Sequence, residues 1–382
     1  MPKFRFSEIA FNSTAKKKPT EEDKYTYIGL EHLDSGNLTV SRWGSDVAPV
    51  GEKLLMKKGD VLFGKRRAYQ KKVAISPFDG IFSAHGMVLR PNEKIVTKEY
   101  FPLFISSDYF LDEAIRISVG SLSPTVNWKD LKDIEFDLPT IEEQERLTPI
   151  IWAAIEAKNA YKKQLDCIDD LVKSQFIEMF ETSDLHFSEC TIAEACSTKD
   201  DIKCGPFGTQ LKQADYKNSG VAIWGIPQIN AEFTIDPDAY VTSEKAKQLD
   251  SYSLIPGDIA MSRKGNVGQC AIYPNEFPDG IIASDVLRIR IDKERLTPQF
   301  MQYQLHHSNY VRQQILNVSN GAVMAGINVT KLKNIKVYIP PLTLQNQFSD
   351  FVKQADKSKF ELKQSIENID NLIKSLIQQD NL

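Results

Sequence analysis

Positively charged and amide side chains are concentrated in one short stretch of the N-terminal third. Residues 57–72 contain seven lysines and arginines and a single acid, Asp60, with an aromatic and an amide among them. Lysine and arginine neutralise phosphates, while arginine, glutamine and tyrosine can reach base edges. The residues predicted to contact nucleic acid are Lys65, Arg66, Arg67, Tyr69, Gln70, Lys71 and Lys72. The alternative interpretation is a solvated loop that serves solubility alone.

Two stretches of the C-terminal half combine turn chemistry with cations and amides. Residues 263–269 place two cations and two amides on a glycine-rich turn after a predicted strand, and glycine lets a backbone approach a phosphate closely. Residues 205–208, Gly-Pro-Phe-Gly, form a predicted turn in which Phe207 is expected to anchor the loop in the core. An ordinary hairpin turn is the alternative at residues 263–269. The candidate contact residues are Thr209, Gln210, Lys212, Arg263, Lys264, Asn266 and Gln269.

Signatures of catalysis are missing where they would be expected. No Walker A sequence occurs. Ile339-Pro340-Pro341-Leu342 is similar to the (Asn/Asp)-Pro-Pro-(Tyr/Phe) motif of amino-methyltransferases, but it lacks the polar group and the aromatic ring that hold a flipped base. The five histidines show no partnership with a nucleophile, and each is interpreted as structural.

The cysteines and the hydropathy limit the compartment and the cofactors. None of the five cysteines forms a Cys-x-x-Cys pair, and the spacing of His186, Cys190, Cys196 and Cys204 fits no zinc pattern, so no metal site is predicted. The sequence has no signal peptide and no apolar run of about 18 residues. We therefore expect a soluble, cytoplasmic protein with free thiols and no membrane partner.

The charge of the chain is unevenly distributed. The formal net charge is −4, which by itself argues against a nucleic-acid partner. Residues 140–184, however, carry 5 basic and 10 acidic side chains, whereas residues 1–139 carry 21 and 19 and residues 185–340 carry 16 and 16. The acidic excess therefore lies mainly in one segment, and the remainder is compatible with local DNA-reading surfaces.

The chain contains an internal duplication with a constant offset of 201 residues. The matched pairs include Leu131 with Leu332, Pro139 with Pro340, Gln144 with Gln345, Tyr109 with Tyr310, and Ile168 with Ile369. Between such anchors the sequences diverge freely. This pattern is typical of one scaffold used twice with different loops, as in two reading heads of different specificity.

Each copy predicts short strands followed by helices. A buried strand is expected at residues 25–33 and further strands at 73–75, 80–83, 87–90 and 134–138. Single helices are expected at residues 99–117 and at 298–316. Thr140 and Glu143 form a predicted capping box in front of a long helix.

Each copy ends in a stretch of about 40 residues in which apolar side chains recur with a period of seven residues. Eight of ten seam positions are apolar in each copy, and lysines 158 and 359 occupy the same register. The two seams are predicted to pack on each other, with the shared lysine helping to fix the register; the alternative is two surface helices, each on its own domain. The predicted helix–helix seam comprises Leu147, Ile151, Tyr161, Leu165, Ile168, Val172, Phe348, Val352, Leu362, Ile366, Ile369 and Ile373.

The duplicated helix starts at residues 131–144 and 332–345 carry a family resemblance. Each copy reads hydrophobic-Lys-x-Ile, then (Leu/Ile)-Pro, then Gln, and the chain also contains the turn at 205–208 and Gly-Asp-(Ile/Val) turns at 59 and 257. This arrangement resembles the specificity subunit of Type I restriction-modification systems over essentially the whole chain. The first copy departs from the second at Thr140, where the second has Pro341.

The resemblance implies a mixed α/β fold with pseudo-two-fold symmetry. Residues 1–139 and 185–340 would be two similar target recognition domains, and residues 140–184 and 341–382 would form two long antiparallel coiled-coil helices that separate them. The implied protein is not an enzyme. It would read a bipartite, asymmetric target in double-stranded DNA, with one half-site per domain.

The same resemblance implies partners and places all cofactors on them. Two methyltransferase subunits would carry S-adenosylmethionine, and restriction subunits would use ATP and Mg²⁺. Two other classes stay open from the residues alone. One is a stand-alone DNA-modifying or DNA-cleaving enzyme, and the other is a coiled-coil interaction protein without a DNA role.

Overall fold

The computed structural model describes residues 2–182, 187–319 and 326–378. Up to residue 182 the strands are β1 (Lys3–Arg5), β2 (Ala10–Ser13), β3 (Lys16–Lys17), β4 (Tyr27–Ile28), β5 (Lys53–Met56), β6 (Val61–Phe63), β7 (Val73–Ile75), β8 (Gly80–Phe82), β9 (Met87–Pro91) and β10 (Glu135–Asp137). The helices of this part are α1 (Phe6–Ile9), α2 (Phe101–Ser106), α3 (Asp108–Arg116), α4 (Trp128–Leu131) and α5 (Ile141–Phe180).

The elements after residue 187 follow a similar order. The strands are β11 (Ser188–Thr191), β12 (Ile202–Cys204), β13 (Val221–Trp224), β14 (Ala239–Val241), β15 (Ser253–Leu254), β16 (Ile259–Ser262), β17 (Cys270–Ile272), β18 (Gly280–Ile282), β19 (Val286–Ile289) and β20 (Lys336–Ile339). The helices are α6 (Ile226–Asn230), α7 (Ser243–Gln248), α8 (Pro298–His307), α9 (Asn309–Ser319), α10 (Val329–Lys333) and α11 (Leu342–Gln378).

The chain divides into two compact units that each contain part of both long helices. The first unit comprises Met1–Lys163 and Leu362–Leu382, and the second comprises Gln164–Glu361. The first part of α5 and the last part of α11 therefore belong to the first unit. Their remaining parts belong to the second.

Three sheets form the globular part of the first unit. One has the strand order β2-β9-β6-β7 with antiparallel neighbours. Another has the order β3-β5-β8-β4, in which β4 and β8 run parallel. The third is the antiparallel pair of β1 and β10, which joins the start of the chain to the strand just before α5.

Strand β6 lies between two apolar clusters because its side chains alternate between the two faces of the sheet. Val61 and Phe63 pack in a cluster with the rings of α2 and α3, whereas Leu62 packs in a second cluster beneath the other sheet. Strand β16 of the second unit repeats this arrangement, with Ile259 and Met261 on one side and Ala260 on the other.

The second unit has the same strand plan with one difference at the sheet edge. Its sheets have the orders β12-β19-β16-β17, β14-β13-β18-β15 and β11-β20. The strands β15, β18 and β13 correspond to β5, β8 and β4. The fourth strand, however, is β3 beside β5 in the first unit and β14 beside β13 in the second. The common core of three strands is therefore extended on opposite edges.

A buried glutamine near the start of each long helix binds the globular part by the same hydrogen bonds. The Gln144 amide donates to the carbonyl oxygens of Ile95 and Pro139, both at 2.9 Å, and its oxygen accepts from the Thr97 N–H at 2.8 Å. Gln345 makes the equivalent contacts with Arg295, Pro340 and Thr297 at 2.8–3.0 Å. The predicted capping box is also present, since the Thr140 N–H donates to Glu143 at 2.9 Å.

In each unit the long helices pack with opposite direction. In the first unit, Leu147 and Ile151 near the start of α5 share a cluster with Ile377 near the end of α11. In the second unit, Phe176 and Phe180 near the end of α5 pack with Phe348 near the start of α11.

The predicted seam residues are all at least partly shielded. Leu147, Ile151, Val172, Phe348 and Val352 are buried, and the partly buried ones are Tyr161, Leu165, Ile168, Leu362, Ile366, Ile369 and Ile373. Phe176, Phe180 and Ile377 are buried as well, although the seven-residue pattern does not include them.

The two seam lysines form matching ion pairs. Lys158 of α5 pairs with Asp370 of α11 in the first unit. In the second unit, Lys359 of α11 pairs with Asp169 of α5 at 2.5 Å. Since 158 and 359, and likewise 169 and 370, differ by the duplication offset, the two pairs are equivalent.

Several sequence-based expectations for local structure are wrong. The helices expected at residues 99–117 and 298–316 are each broken at a buried serine, Ser107 or Ser308, whose extended backbone and hydroxyl cap the next helix. Residues 25–33 hold only the short strand β4 between 3₁₀ turns at Glu21–Thr26 and Leu30–His32, because Asp23 accepts the Thr20 N–H and begins a turn. His186, interpreted as structural, lies outside the described residues.

Candidate nucleic-acid interface

The first candidate group lies on the hairpin loop between β6 and β7. Backbone hydrogen bonds tie this loop to the segment before α4, because the Val126 N–H donates to the Lys65 carbonyl at 2.9 Å and the Arg67 N–H donates to Pro124 at 2.7 Å. Arg67 has a φ of 56°, in the left-handed region that non-glycine residues seldom adopt. The side chains of Arg66 and Arg67 are exposed on this fixed backbone.

Cations from three separate segments of the first unit, and the ring of His85 from a fourth, converge beside this loop. We call Lys16, Lys53, Lys65, Arg66, Arg67 and His85 the cationic face. Arg66 Nη1 lies 3.4 Å from His85 Nε2. Burial and the charge of Lys16 lower the pKa of Lys65. Partial burial, and then the charges of Arg66, Lys65 and Lys53, lower the pKa of His85.

The cationic face keeps most of its charge uncompensated. Within the described ranges no acidic side chain forms a salt bridge with Lys65, Arg66 or Arg67, and Lys16 has only a loose pair with Glu52 at 3.6 Å. Burial is the larger cause of both pKa shifts, and repulsion among like charges acts in the same direction. Such a surface attracts a polyanion.

The remaining candidates of residues 65–72 do not join this face equally. Lys71 pairs with Asp108 at 2.6 Å and with Asp112 at 3.3 Å, and Lys72 donates to the Leu30 carbonyl at 2.6 Å. These lysines hold the loop to neighbouring elements. Tyr69 is exposed and Gln70 is partly buried.

The second candidate group occupies the equivalent hairpin of the second unit, between β16 and β17. The Ile327 N–H donates to the Arg263 carbonyl at 3.0 Å, and Lys264 bridges to Gly326 as Arg66 bridges to Thr125. Two loops that differ in sequence and length therefore take the same place on the duplicated scaffold.

The chemistry of the second hairpin differs from that of the first. The Arg263 guanidinium stacks over the Phe207 ring, with its central carbon 5.1 Å from the ring centre, and donates to Cys204 Sγ. Lys264 is paired with Asp285 at 2.9 Å. Within the described residues the Arg263 Nε is buried without a hydrogen-bond partner.

The expectation that Phe207 anchors its loop in the core is wrong. Its side chain is 49% exposed. The ring lies outside the core, on the glycine-rich turn, and makes a cation–π contact with the Arg263 guanidinium. The arginine–phenylalanine pair could not be read from the sequence, because 56 residues separate the two.

The other candidates of the second unit lie on exposed turns. Gln210 accepts a hydrogen bond from the Tyr252 hydroxyl at 2.9 Å, and the Lys212 backbone N–H donates to Asp215 at 2.7 Å. Thr209, Lys212 and Asn266 are exposed, and Gln269 is partly buried.

An ion pair with a buried aspartate lies at the start of the first strand of each hairpin, and the sequence pattern did not predict it. Asp60 of the Gly-Asp turn accepts two hydrogen bonds from Arg90 at 2.7 and 2.8 Å, and Asp258 accepts two from Arg290, both at 2.7 Å. These bonds raise the pKa of both arginines. The signal was present in the sequence, since Arg90 and Arg290 follow their aspartates at nearly equal distances of 30 and 32 residues.

Among the described residues, no cluster of three or more histidine, cysteine or acidic side chains could hold a metal ion. The helices in that part of the chain are not long and apolar enough to cross a membrane.

Comparison with known proteins identifies the family. The family model for the Type I restriction modification DNA specificity domain matches twice, at residues 6–166 and 203–370. The chain belongs to this family. The resemblance seen in the duplicated helix starts is thereby confirmed, and so is the prediction of two similar recognition domains.

Two curated relatives of the specificity family match most of the chain, and a third matches less than half of it. The Type I restriction enzyme StySPI specificity subunit of Salmonella potsdam is 21% identical over 373 residues, which cover 87% of this chain and 74% of that protein. The MjaVIII specificity subunit of Methanocaldococcus jannaschii is 21% identical over 375 residues, covering 92% and 85%. The EcoDI specificity subunit of Escherichia coli is 24% identical over 164 residues and matches only 42% of this chain and 36% of its own length.

Solved structures support the fold of the specificity family. A chain from a structure on complex assembly and conformational transition of the type I R-M system has a TM-score of 0.63 at 16% identity, covering 99% of this chain and 96% of that one. The S subunit of the Type-I restriction-modification system from M. genitalium has a TM-score of 0.56 at 15% identity, covering 98% and 96%. The predicted mixed α/β fold with two long helices is confirmed.

Membership in the specificity family decides between the three functional classes. The chain is a specificity subunit of a Type I restriction-modification system, which recognises DNA and is not itself a catalyst. The two alternatives, a stand-alone DNA-acting enzyme and an interaction protein without a DNA role, are not supported.

Proposed function

We propose that this specificity subunit reads a split, asymmetric DNA target, with one half-site for each globular part and an unread gap between the half-sites. The observation that carries the proposal is the pair of equivalent hairpins. They occupy the same place on a duplicated scaffold but carry different side chains. Each copy therefore presents different side chains to its own stretch of double-stranded DNA.

The first half-site meets the cationic face. Arg66 and Arg67 are exposed and free of acidic partners among the described residues, so they suit phosphate contacts or bidentate pairing with guanine. The proposed contact residues of this copy are Lys65, Arg66, Arg67, Tyr69, Gln70, Lys71 and Lys72. Lys71 and Lys72 act chiefly by holding the loop.

The second half-site meets a surface with less free charge. The Arg263 guanidinium is held in place by the Phe207 ring and by its hydrogen bond to Cys204 Sγ, which favours base recognition over general attraction. The proposed contact residues of this copy are Thr209, Gln210, Lys212, Arg263, Lys264, Asn266 and Gln269.

The proposed division of labour follows the duplication. Residues 1–139 and 185–340 act as the two target recognition domains, and residues 140–184 and 341–382 act as the helical spacer that sets the gap. The seam side chains named above hold this spacer together. The identical hydrogen bonds of Gln144 and Gln345 support a common attachment of both domains to it.

The proposed partners supply the chemistry that this chain lacks. Two methyltransferase subunits bring S-adenosylmethionine, and restriction subunits bring ATP and Mg²⁺, in the bacterial or archaeal cytoplasm where chromosomal DNA is found. One related structure concerns complex assembly of a type I R-M system.

Mapping of methylated bases tests the proposal. DNA from cells that express this chain together with the methyltransferase subunit of its own system is sequenced for modified adenine or cytosine. We expect one motif with two unlike half-sites and a gap of fixed length. A continuous motif, or a palindromic one, contradicts the proposal. Substitutions in the hairpin at 263–269 then alter one half-site only.

A further inference from the structure

A short hairpin next to the cationic face carries a leucine that almost nothing covers. Residues 119–125 form a tight turn before α4, and Leu122 at its tip is 89% exposed. Val119 at its base is 66% exposed. Exposed single apolar residues are common on protein surfaces, so the setting of this leucine decides its meaning.

The hairpin is held in one conformation. Val119 and Thr125 exchange two backbone hydrogen bonds, both at 3.0 Å, and the Thr125 hydroxyl donates to the Ser123 carbonyl at 3.1 Å. Gly120 has a φ of 120°, which side-chain-bearing residues rarely adopt, and so permits the sharp reversal. The leucine is therefore presented at the tip of a braced turn.

The cationic face borders this tip directly. The Arg67 Nε donates to the Ser123 hydroxyl at 3.3 Å, and the Arg67 N–H donates to the Pro124 carbonyl at 2.7 Å. Arg66 bridges to Thr125 on the other strand of the hairpin. A polyanion bound by Arg66 and Arg67 will therefore lie against Leu122.

We propose that Leu122 is an apolar wedge that enters a base step of the first half-site and partly unstacks it. The inference rests on the proposed function, because it needs DNA on the cationic face. Proteins that deform DNA place apolar side chains beside arginines in this way, and the inserted side chain makes the binding energy depend on how easily that step opens. The wedge thus contributes to sequence preference at a position where no hydrogen bond to a base is made.

Fluorescence of 2-aminopurine tests the wedge. The complex of this chain with its methyltransferase subunits binds duplexes that carry the mapped target, with 2-aminopurine placed in turn at each step of the half-sites. Methylated positions are left out, because a methyltransferase extrudes its target base by itself. At one of the other steps we expect the fluorescence to rise severalfold with the wild-type chain and to stay low with Leu122→Ser. Leu122→Ser lowers the affinity about ten-fold with an unchanged salt slope, because no phosphate contact is lost.

Two further variants control for surface polarity and side-chain length. Leu171→Ser makes the same change at another exposed leucine, on α5, and leaves affinity and fluorescence at the wild-type level. Leu122→Met keeps an apolar side chain of similar reach and retains the fluorescence rise. Gel filtration of each complex checks that it is fully assembled.

Each outcome has a defined meaning. Equal fluorescence and affinity for the wild type and Leu122→Ser overturn the wedge while leaving the proposed function intact. Loss of a methyltransferase subunit from the Leu122→Ser complex, with an unchanged fluorescence rise, assigns the tip to a protein contact and also overturns it. If the wild-type complex binds its mapped target no better than random DNA, the proposed function itself fails.

Discussion

The cations of residues 65–72 differ in whether an acidic side chain pairs with them. Arg66 and Arg67 have no acidic partner in the described part of the chain, whereas Lys71 is held by Asp108 and Asp112. A cation that already has an acid at 2.6 Å offers little net charge to a phosphate. The salt dependence of binding should therefore respond to Arg66 and Arg67 rather than to Lys71.

Replacing Lys65, Arg66 and Arg67 together by alanine should weaken DNA binding by the specificity subunit and flatten its salt dependence. Each lost phosphate contact reduces the slope of log K against log salt by about 0.9, so we expect the loss of all three contacts to reduce it by roughly 3. The measurement is a salt titration of the complex on its mapped target. Lys71→Ala is the matched control and should leave the slope within about 0.5 of the wild type. An unchanged slope in the triple variant would remove this loop from the interface.

A buried histidine makes the second unit sensitive to acid. His306 Nε2 accepts a hydrogen bond from the Cys270 N–H at 3.0 Å, which requires the neutral ring. Burial, with smaller contributions from His307 and Arg312, lowers its pKa to about 4. A histidine with a folded-state pKa below its unfolded value of about 6.5 stabilises the fold above that pH and loses this contribution as the pH falls towards 4.

We expect the free energy of unfolding of the second unit to fall by about 2 kcal/mol between pH 7 and pH 5 on account of His306. Urea denaturation of the wild type and of His306→Gln at both pH values, followed by tryptophan fluorescence, measures this difference. His306→Gln preserves an acceptor for the Cys270 N–H but cannot titrate, so its stability should change less over the same interval. Parallel pH profiles for the two proteins would show that His306 has no such role.

At the residue scale the sequence predicted part of the candidate interface. The run of cations at 65–67 was visible because its members are adjacent. Lys53 and His85 were not, because they come from separate segments that the sheets bring together. The stacking of Arg263 on Phe207 depended in the same way on a contact between distant residues.

At the scale of elements, the long helices are matched by their polar residues as much as by their apolar ones. Lys158 and Lys359 are shielded, with side-chain exposures of 18% and 21%, and each reaches an aspartate on the opposite helix. A lysine in an apolar seam disfavours every register in which it has no acid to meet. The two equivalent pairs therefore specify how far each helix slides along the other.

Reversing one of these pairs should test its role in register. Lys158→Glu alone places a carboxylate next to Asp370 and should lower the free energy of unfolding by about 1 kcal/mol. Adding Asp370→Lys restores an opposite-charge pair and should recover most of the lost free energy of unfolding. Thermal or urea denaturation followed by circular dichroism measures each variant, with Lys162→Glu, on the exposed face of α5, as the control. A double variant no more stable than either single one would mean that the groups do not interact.

The helical elements were well predicted where periodicity carried the information. The capping box at Thr140 and the start of α5 were correct to within a residue. The breaks at Ser107 and Ser308 were missed, since a serine inside an apolar pattern does not reveal that its backbone becomes extended. Burial of Phe176 and Phe180 was missed because these residues pack on α8 as well as on α11. The seven-residue pattern predicts only contacts between the two long helices.

At the scale of the whole molecule, the duplication is the feature that the sequence revealed most completely. A constant offset required no knowledge of the fold, and it predicted equivalent helix starts and equivalent seam lysines. It could not predict that the fourth strand would join opposite edges of the two sheets, because β3 and β14 lie in stretches where the copies no longer resemble each other. In the first unit, that edge brings Lys16 beside the hairpin.

Lengthening both long helices should lengthen the unread gap of the target. Inserting seven residues into α5 and seven into α11, next to the seam lysines, preserves the heptad register and adds about 10 Å of helix. Since base pairs are about 3.4 Å apart, we expect the gap to grow by about one to three base pairs. Methylation mapping of the variant measures the gap. A change in either half-site would contradict the proposed role of the helices as a spacer.

The matched ion pairs have one more consequence. Helix α5 carries Lys158 and also Asp169, one member of each pair, so a fragment that ended after α5 would be self-complementary. Two such fragments can form both ion pairs with each other, as in an isologous dimer. Because their chains are identical, they would have to recognise identical half-sites. Joining the two copies into one polypeptide releases each from the need to resemble the other, and the target no longer has to be a palindrome.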